Sequence, residues 1–180
     1  MGERLHIVTL CTGNVARSVM LGYMLTTLRD SNGDHWLVRT AGTHVVEGSA
    51  MSGRTRDALV AIGELGEHRY GAHRSRQLTD ADVDWADVVI ATEARHVTYA
   101  RTHFANASAK TVSLGQFVRD APLGATWADR LRAVASVEPV ADLDVADPAG
   151  GDHDVYDACA AQLWQLAQRA AVLLRDDVGV

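Results

Sequence analysis

At 180 residues, with 47% hydrophobic and 22% charged residues and three prolines, the chain has the size and composition of one globular domain spanning 1–180 rather than of a disordered segment. Its formal charge of -6, from 17 Lys plus Arg against 23 Asp plus Glu, excludes the basic footprint of a nucleic-acid binder. Any anion site must therefore be built locally, from backbone N–H groups and a well-placed arginine. No run approaches the roughly 20 apolar residues of a membrane span, so no membrane partner is expected. Two cysteines, Cys11 and Cys159, are too few for a disulfide scaffold. A cytoplasmic location with both thiols reduced is the expectation, and export without a cleavable signal stays open.

In chain order, LHIVTL at 5–10 reads as a buried parallel strand, and ARSVMLGYMLTTLR at 16–29 places Val19, Met20, Tyr23, Met24 and Leu28 at helical spacing. DSNGD at 30–34 is a turn cluster, and HWLVRTAGTH a short second strand running into a loop. Residues 52–66 read as a helix with Leu59, Ile62 and Leu65 on one face and a glycine cap. Thr79 or Asp80 caps a short helix, VVIA is the next strand, 93–104 is helical, and TVSL at 111–114 is a short strand. The pattern weakens over 115–146, where one amphipathic helix near 127–135 is expected between loops. Residues 155–174 form a long last helix, with Val155, Cys159, Leu163, Leu166, Ala170 and Leu173 on its apolar stripe.

Strands alternating with helices imply an α/β fold. The expectation is a single domain with a central parallel sheet, four-stranded, flanked by helices on both faces. Ligands of such sheets bind beyond the carboxyl ends of the strands, and CTGNVARS at 11–18 lies there, after the first strand.

A loop entering a helix N-terminus turns backbone N–H groups and the positive end of the dipole toward an anion. Gly13 allows close approach, and Asn14 tolerates the left-handed conformation a tight cradle needs. Cys11 at its base would have its thiolate favoured by these surroundings, and the planar fork of Arg17 suits two phosphate oxygens. The hydroxyl of Ser18 can serve the sulfur. The plainer alternative makes Cys11 an ordinary buried cysteine and Arg17 a surface residue. Cleaving a phosphate monoester also needs a proton donor, for which Asp147 in ADPAGGDHDVY is the candidate; the plainer alternative has it only start the turn before the last helix. Asp152 and Asp154 compete to cap that helix, with Asp154 nearer its expected start.

VTLCTGNVARS, TAGTH at 40–44, GAHRSRQLTDADVDWADVVIAT at 71–92 and ADPAGG at 146–151 together resemble the low-molecular-weight protein tyrosine phosphatases, bacterial members included, across nearly the whole chain. The resemblance implies hydrolysis of phosphotyrosine in proteins with release of inorganic phosphate and no cofactor or metal. It makes Cys11 a nucleophile forming a cysteinyl-phosphate, and Asp147 the acid and then the base. The loop Thr12, Gly13, Asn14, Val15, Ala16, Arg17 and Ser18 would hold the phosphate, with Asn14 shaping it, Ser18 supporting the thiolate and His73 bracing it from behind.

Three positions, Ala16, Ala149 and Val19, depart from the family pattern. Ala16 stands where many members carry a second cysteine that protects the nucleophile by a disulfide, and Cys159 reads as a core residue unable to replace it. Ala149 follows Pro148 where many members have an aromatic wall for the substrate ring. DPxGG followed by tyrosine also resembles a bacterial branch of protein-arginine phosphatases, but these carry threonine at the position of Val15, which favours phosphotyrosine over phosphoarginine. Val19 replaces a common proline. Arsenate reduction on the same scaffold is a rival in its small-molecule-thiol form only, because residues 75–100 contain no cysteine for a protein relay. A non-catalytic module binding phosphorylated partners is a further rival. The sequence leaves the oligomeric state open.

Overall fold

Alternating residues of the first strand bury on opposite sides of a sheet. Leu5 and Ile7 join one apolar cluster, and Val8 and Leu10 a second. In the computed structural model, which describes residues 4–176, this strand is β1 (Leu5–Cys11). It lies between β2 (Trp36–Gly42) and β3 (Val88–Ala91), with β4 (Thr111–Ser113) outside β3. All the pairings are parallel, in the order β2-β1-β3-β4. The α/β architecture expected from the sequence, with a four-stranded parallel sheet and helices on both faces, is the one observed.

The larger cluster lies under α1 (Arg17–Asn32), α2 (Gly53–Ala61), α5 (Leu114–Asp120), α6 (Trp127–Ala135) and α7 (His153–Leu173). The smaller one lies under α3 (Asp80–Trp85) and α4 (Ala94–His103). Thr79 caps α3 in a capping box with Asp82.

Several elements differ from the expectation. The helix α1 runs on through part of the DSNGD cluster to Asn32, because Gly33 takes the left-handed cap at φ 71° and returns its N–H to Arg29. The helix expected over 52–66 stops at Ala61, and Gly63–Leu65 continue as a 3-10 turn that still buries Leu65. Residues 114–120, expected as the end of a strand and a loop, form α5, capped by Ser113 and burying Leu114, Phe117 and Val118. The last helix begins at His153, not 155, since Asp152 rather than Asp154 is its cap, accepting from the Val155 N–H at 3.2 Å. Its buried stripe runs through Tyr156, Cys159, Ala160, Leu163 and Ala167. Val155 is 44% exposed and rests against Gly151, where a side chain would collide with it. Segment 115–146 thus supplies core packing from Phe117, Leu131 and Val134, and its far end returns to the sheet where the Val145 N–H meets the Thr92 carbonyl at 2.9 Å.

Candidate active site

The carboxyl ends of three strands converge at one edge, with Cys11 beside Gly42 in register and Leu10 beside Ala91. The loop from Thr12 to Ala16 leaves this edge and enters α1. Two amides beyond β2 hold its start: the N–H of Thr43 donates to Cys11 O and that of His44 to Thr12 O, both at 2.9 Å. That approach needs a glycine at 42, because a Cβ there would lie 2.4 Å from Thr12 O and 3.0 Å from Asn14 N.

Asn14 is the pivot. It is fully buried, and among the described residues it is the only non-glycine at positive φ, 52°. Its Nδ2 donates to Ser18 Oγ and Thr40 Oγ1, each at 2.9 Å, and its Oδ1 accepts from the Arg76 N–H at 3.0 Å. His73 braces the same residue from outside, its Nε2–H donating to the Asn14 carbonyl at 2.8 Å, and burial lowers the pKa of that ring. Thr55 Oγ1 donates to the Val15 carbonyl at 3.0 Å. Helix α1 starts without a side-chain cap, whereas Ser52, Thr79, Ser113, Thr126 and Asp152 cap α2, α3, α5, α6 and α7. An uncapped first turn leaves amides available to an anion.

Cys11 is buried at the base of the loop, its Sγ 3.0 Å from Ser18 Oγ. Because that oxygen already accepts from Asn14, its own hydrogen is free to donate to sulfur. Arg17 is 1% exposed, which rules out a surface role. Its Nη1 donates to Glu93 and, at 3.0 Å, to Val145 O, while Nη2 donates to Asp147 Oδ2 at 2.7 Å. Asp147 also shapes the turn expected of it, since its other oxygen accepts from the Ala149 N–H at 3.1 Å.

Sequence reasoning missed Glu93, Arg95 and His96, although Glu93 lies two residues past Ala91, the carboxyl end of β3, where ligand sites of such sheets lie. Glu93 joins Arg17 through one oxygen and Arg95 through the other. Burial works to raise its pKa, but hydrogen bonds from Arg95 and Arg17 overcome this and hold it below the usual carboxylate range. The His96 ring is 2% exposed, with Nε2 2.8 Å from Thr12 Oγ1 and 3.3 Å from Glu93 Oε2. Burial lowers its pKa to about 4, so it is neutral at pH 7.

Cys159 faces the back of the acid loop, its Sγ 3.9 Å from the Ala146 carbonyl, and burial pushes its thiol up to about 11. It is the core residue expected. Among the described residues, no three His, Cys, Asp or Glu side chains gather as metal ligands would. None of the helices there is long and apolar enough to cross a membrane. A nucleophile, a buried cation and a carboxyl group at the mouth of an amide-lined loop are the parts needed for displacement at phosphorus.

Comparison with known proteins finds the same arrangement of sequence. Residues 6–178 match the family model described as low molecular weight phosphotyrosine protein phosphatase. A protein-arginine-phosphatase of Geobacillus stearothermophilus is 31% identical over 172 residues, covering 96% of this chain and 97% of the relative. A low molecular weight protein-tyrosine-phosphatase of Streptomyces coelicolor is 27% identical over 182 residues, covering 96% and 95%. Among solved structures, an arginine phosphatase from Geobacillus stearothermophilus superposes with a TM-score of 0.72 at 32% identity, covering 93% of this chain and 91% of that one.

Proposed function

The chain belongs to the low molecular weight phosphotyrosine protein phosphatase family, and from that premise we propose that residues 1–180 act as one domain hydrolysing phosphotyrosine in proteins through a cysteinyl-phosphate. In this reading the Cys11 thiolate attacks phosphorus in line, the P–O bond to the tyrosine breaks, and Asp147 gives its proton to the leaving oxygen. Asp147 then removes a proton from water, which attacks the phosphocysteine, expels the thiolate and yields inorganic phosphate. The Ser18 hydroxyl receives the returning negative charge on sulfur. Arg17 and the amides of Thr12, Gly13, Asn14, Val15, Ala16, Arg17 and Ser18 hold the equatorial oxygens. Asn14 and His73 keep the loop in shape.

The observation that carries this reading is the contact of Arg17 with Asp147 across 130 positions of sequence, which puts a carboxyl group at the mouth of the loop that contains the buried thiol. Hydrolysis uses that carboxyl group twice, as acid and then as base, whereas arsenate reduction calls on it at most once and phospho-binding without turnover not at all. The test is release of phosphate from p-nitrophenyl phosphate near pH 6. Cys11→Ser should abolish it, and Asp147→Asn should lower kcat by about 100-fold or more, the scale of lost general acid catalysis. Full turnover by Cys11→Ser would refute the reading.

Phosphoarginine is the second substrate to be tried, because the 31% identical relative that covers 96% of the chain is a protein-arginine-phosphatase. Favouring tyrosine, Val15 brings only an aliphatic side chain to the loop, with no hydroxyl to orient a guanidinium or water. Peptides carrying each phosphoresidue in one sequence context decide between them by kcat/KM.

A further inference from the structure

The reading above gives a task to one of the two arginines that share Glu93. Arg95 is the other, and it is built differently from Arg17. Its side chain is 64% exposed, against 1% for Arg17. Its Nε donates to Glu93, and its Nη2 reaches back to Thr12 Oγ1, one residue after the nucleophile, at 3.3 Å. Among the described residues its Nη1 has no hydrogen-bond partner, so one side of the guanidinium fork remains open to solvent at the rim of the loop.

The charges at this rim are unequally exposed once a phosphorylated substrate is seated. Arg17 and Arg95 bring two positive charges, and Glu93 one negative charge set between them. A phosphate in the loop takes up Arg17, and the acid form of Asp147 is neutral. His96, the remaining titratable group in contact with Glu93, is buried and uncharged at pH 7. Arg95 is thus the cation left facing solvent at the exposed end, held on its inner side by Glu93 and close enough to the acid loop to feel both Asp147 and Asp144.

The contacts with Glu93 and Thr12 occupy only part of this arginine. It lies in the first turn of α4, beside the positive end of the helix dipole, where an acidic side chain is preferred. A residue that breaks a local rule on an otherwise acidic chain, beside a reactive loop, is a candidate for function.

We propose that Arg95 is a specificity-determining residue that receives a carboxylate side chain of the substrate next to its phosphorylated residue, so that the enzyme prefers acidic phosphopeptides. The proposal rests on the phosphatase reading and adds a substrate class to it. On a chain whose net charge is -6 with Arg95 counted, attraction of an acidic peptide has to come from a local cation such as this one.

The test uses two phosphotyrosine peptides that differ only in having glutamates or alanines flanking the phosphotyrosine. The wild-type kcat/KM ratio should favour the acidic peptide by up to about fivefold at low salt, the range of one exposed ion pair. It should shrink as salt screens the contact. Arg95→Gln should bring the ratio to about one, Arg95→Lys should retain part of it, and Arg56→Gln, an exposed arginine on α2 paired with Asp57, should leave it unchanged. Both peptides present the same phosphate, so any change in how Arg17 sits cancels in the ratio. A wild-type ratio of one, or a preference that survives Arg95→Gln, overturns the proposal. Affinities of Cys11→Ser for the same pair are measured alongside. If neither peptide is hydrolysed, the phosphatase reading is what fails, and the affinity ratio with and without Arg95 still judges the acidic-peptide proposal.

Discussion

Replacing Asn14 separates two things the loop depends on, a backbone conformation and a set of hydrogen bonds. Asn14→Ala removes the side-chain bonds to Ser18, Thr40 and the Arg76 amide, and asks alanine to hold φ at 52°. Three buried hydrogen bonds at about 1 kcal/mol each and about 1 kcal/mol of left-handed strain sum to about 4 kcal/mol. For a domain of this size that lowers Tm by roughly 8 to 16 °C. Asn14→Gly loses the same bonds without the strain and should recover about 1 kcal/mol relative to alanine. Urea unfolding and thermal melts of the three proteins measure both differences. Alanine and glycine variants of equal stability would refute the role given to the backbone, and a loss below about 1 kcal/mol in both would refute the role given to the side chain.

Stability should also fall on mild acidification because of His96. Its folded pKa of about 4 lies below the ordinary 6.5, so its contribution is complete above about pH 6.5 and is lost as the pH drops through the window down to about 4. Between pH 7 and 5 this one ring should cost about 2 kcal/mol in urea unfolding, and His96→Gln should flatten that slope; equal slopes would show that the ring does not titrate in this way. Cys159 should not rescue the oxidised enzyme, since its thiol is buried with its pKa raised to about 11. After brief peroxide treatment, the fraction of activity regained with added thiol should be the same in wild type and Cys159→Ala, and a smaller recovery in the variant would overturn this.

The strands and most helices were legible because their signals are local. The buried run LHIVTL, the VVIA strand and a cap at Thr79 or Asp80 need no distant partner to be recognised. Helix α5 was not, since seven residues hold too few turns for a period to show, and it owes its place to Phe117 and Leu114 packing in the core. The sequence leaves the cap of α7 open between Asp152 and Asp154, which are equally good caps in isolation, and the structure selects Asp152. The loop from Cys11 to Ser18 could be read from its own letters and position. What surrounds it could not: Glu93, Thr40, Thr55 and Arg76 come from four other segments, and no spacing rule relates them to Arg17, Val15 or Asn14.

That dispersal has a consequence for how the loop works. A cradle of amides favours an anion most when its shape is fixed before the anion arrives. Here the fixing contacts come from outside the cradle, through Thr40 on β2, Thr55 on α2 and His73 and Arg76 in the segment before α3. The backbone amides from Thr12 to Ser18 are thereby left to face the phosphate. The same layout ties reactivity to stability, because a substitution at Thr55 or His73 that never touches substrate loosens the loop carbonyl it holds. Such changes should weaken inorganic phosphate as a competitive inhibitor in parallel with the fall in Tm. A residue that merely filled space would lower Tm and leave phosphate inhibition where it was.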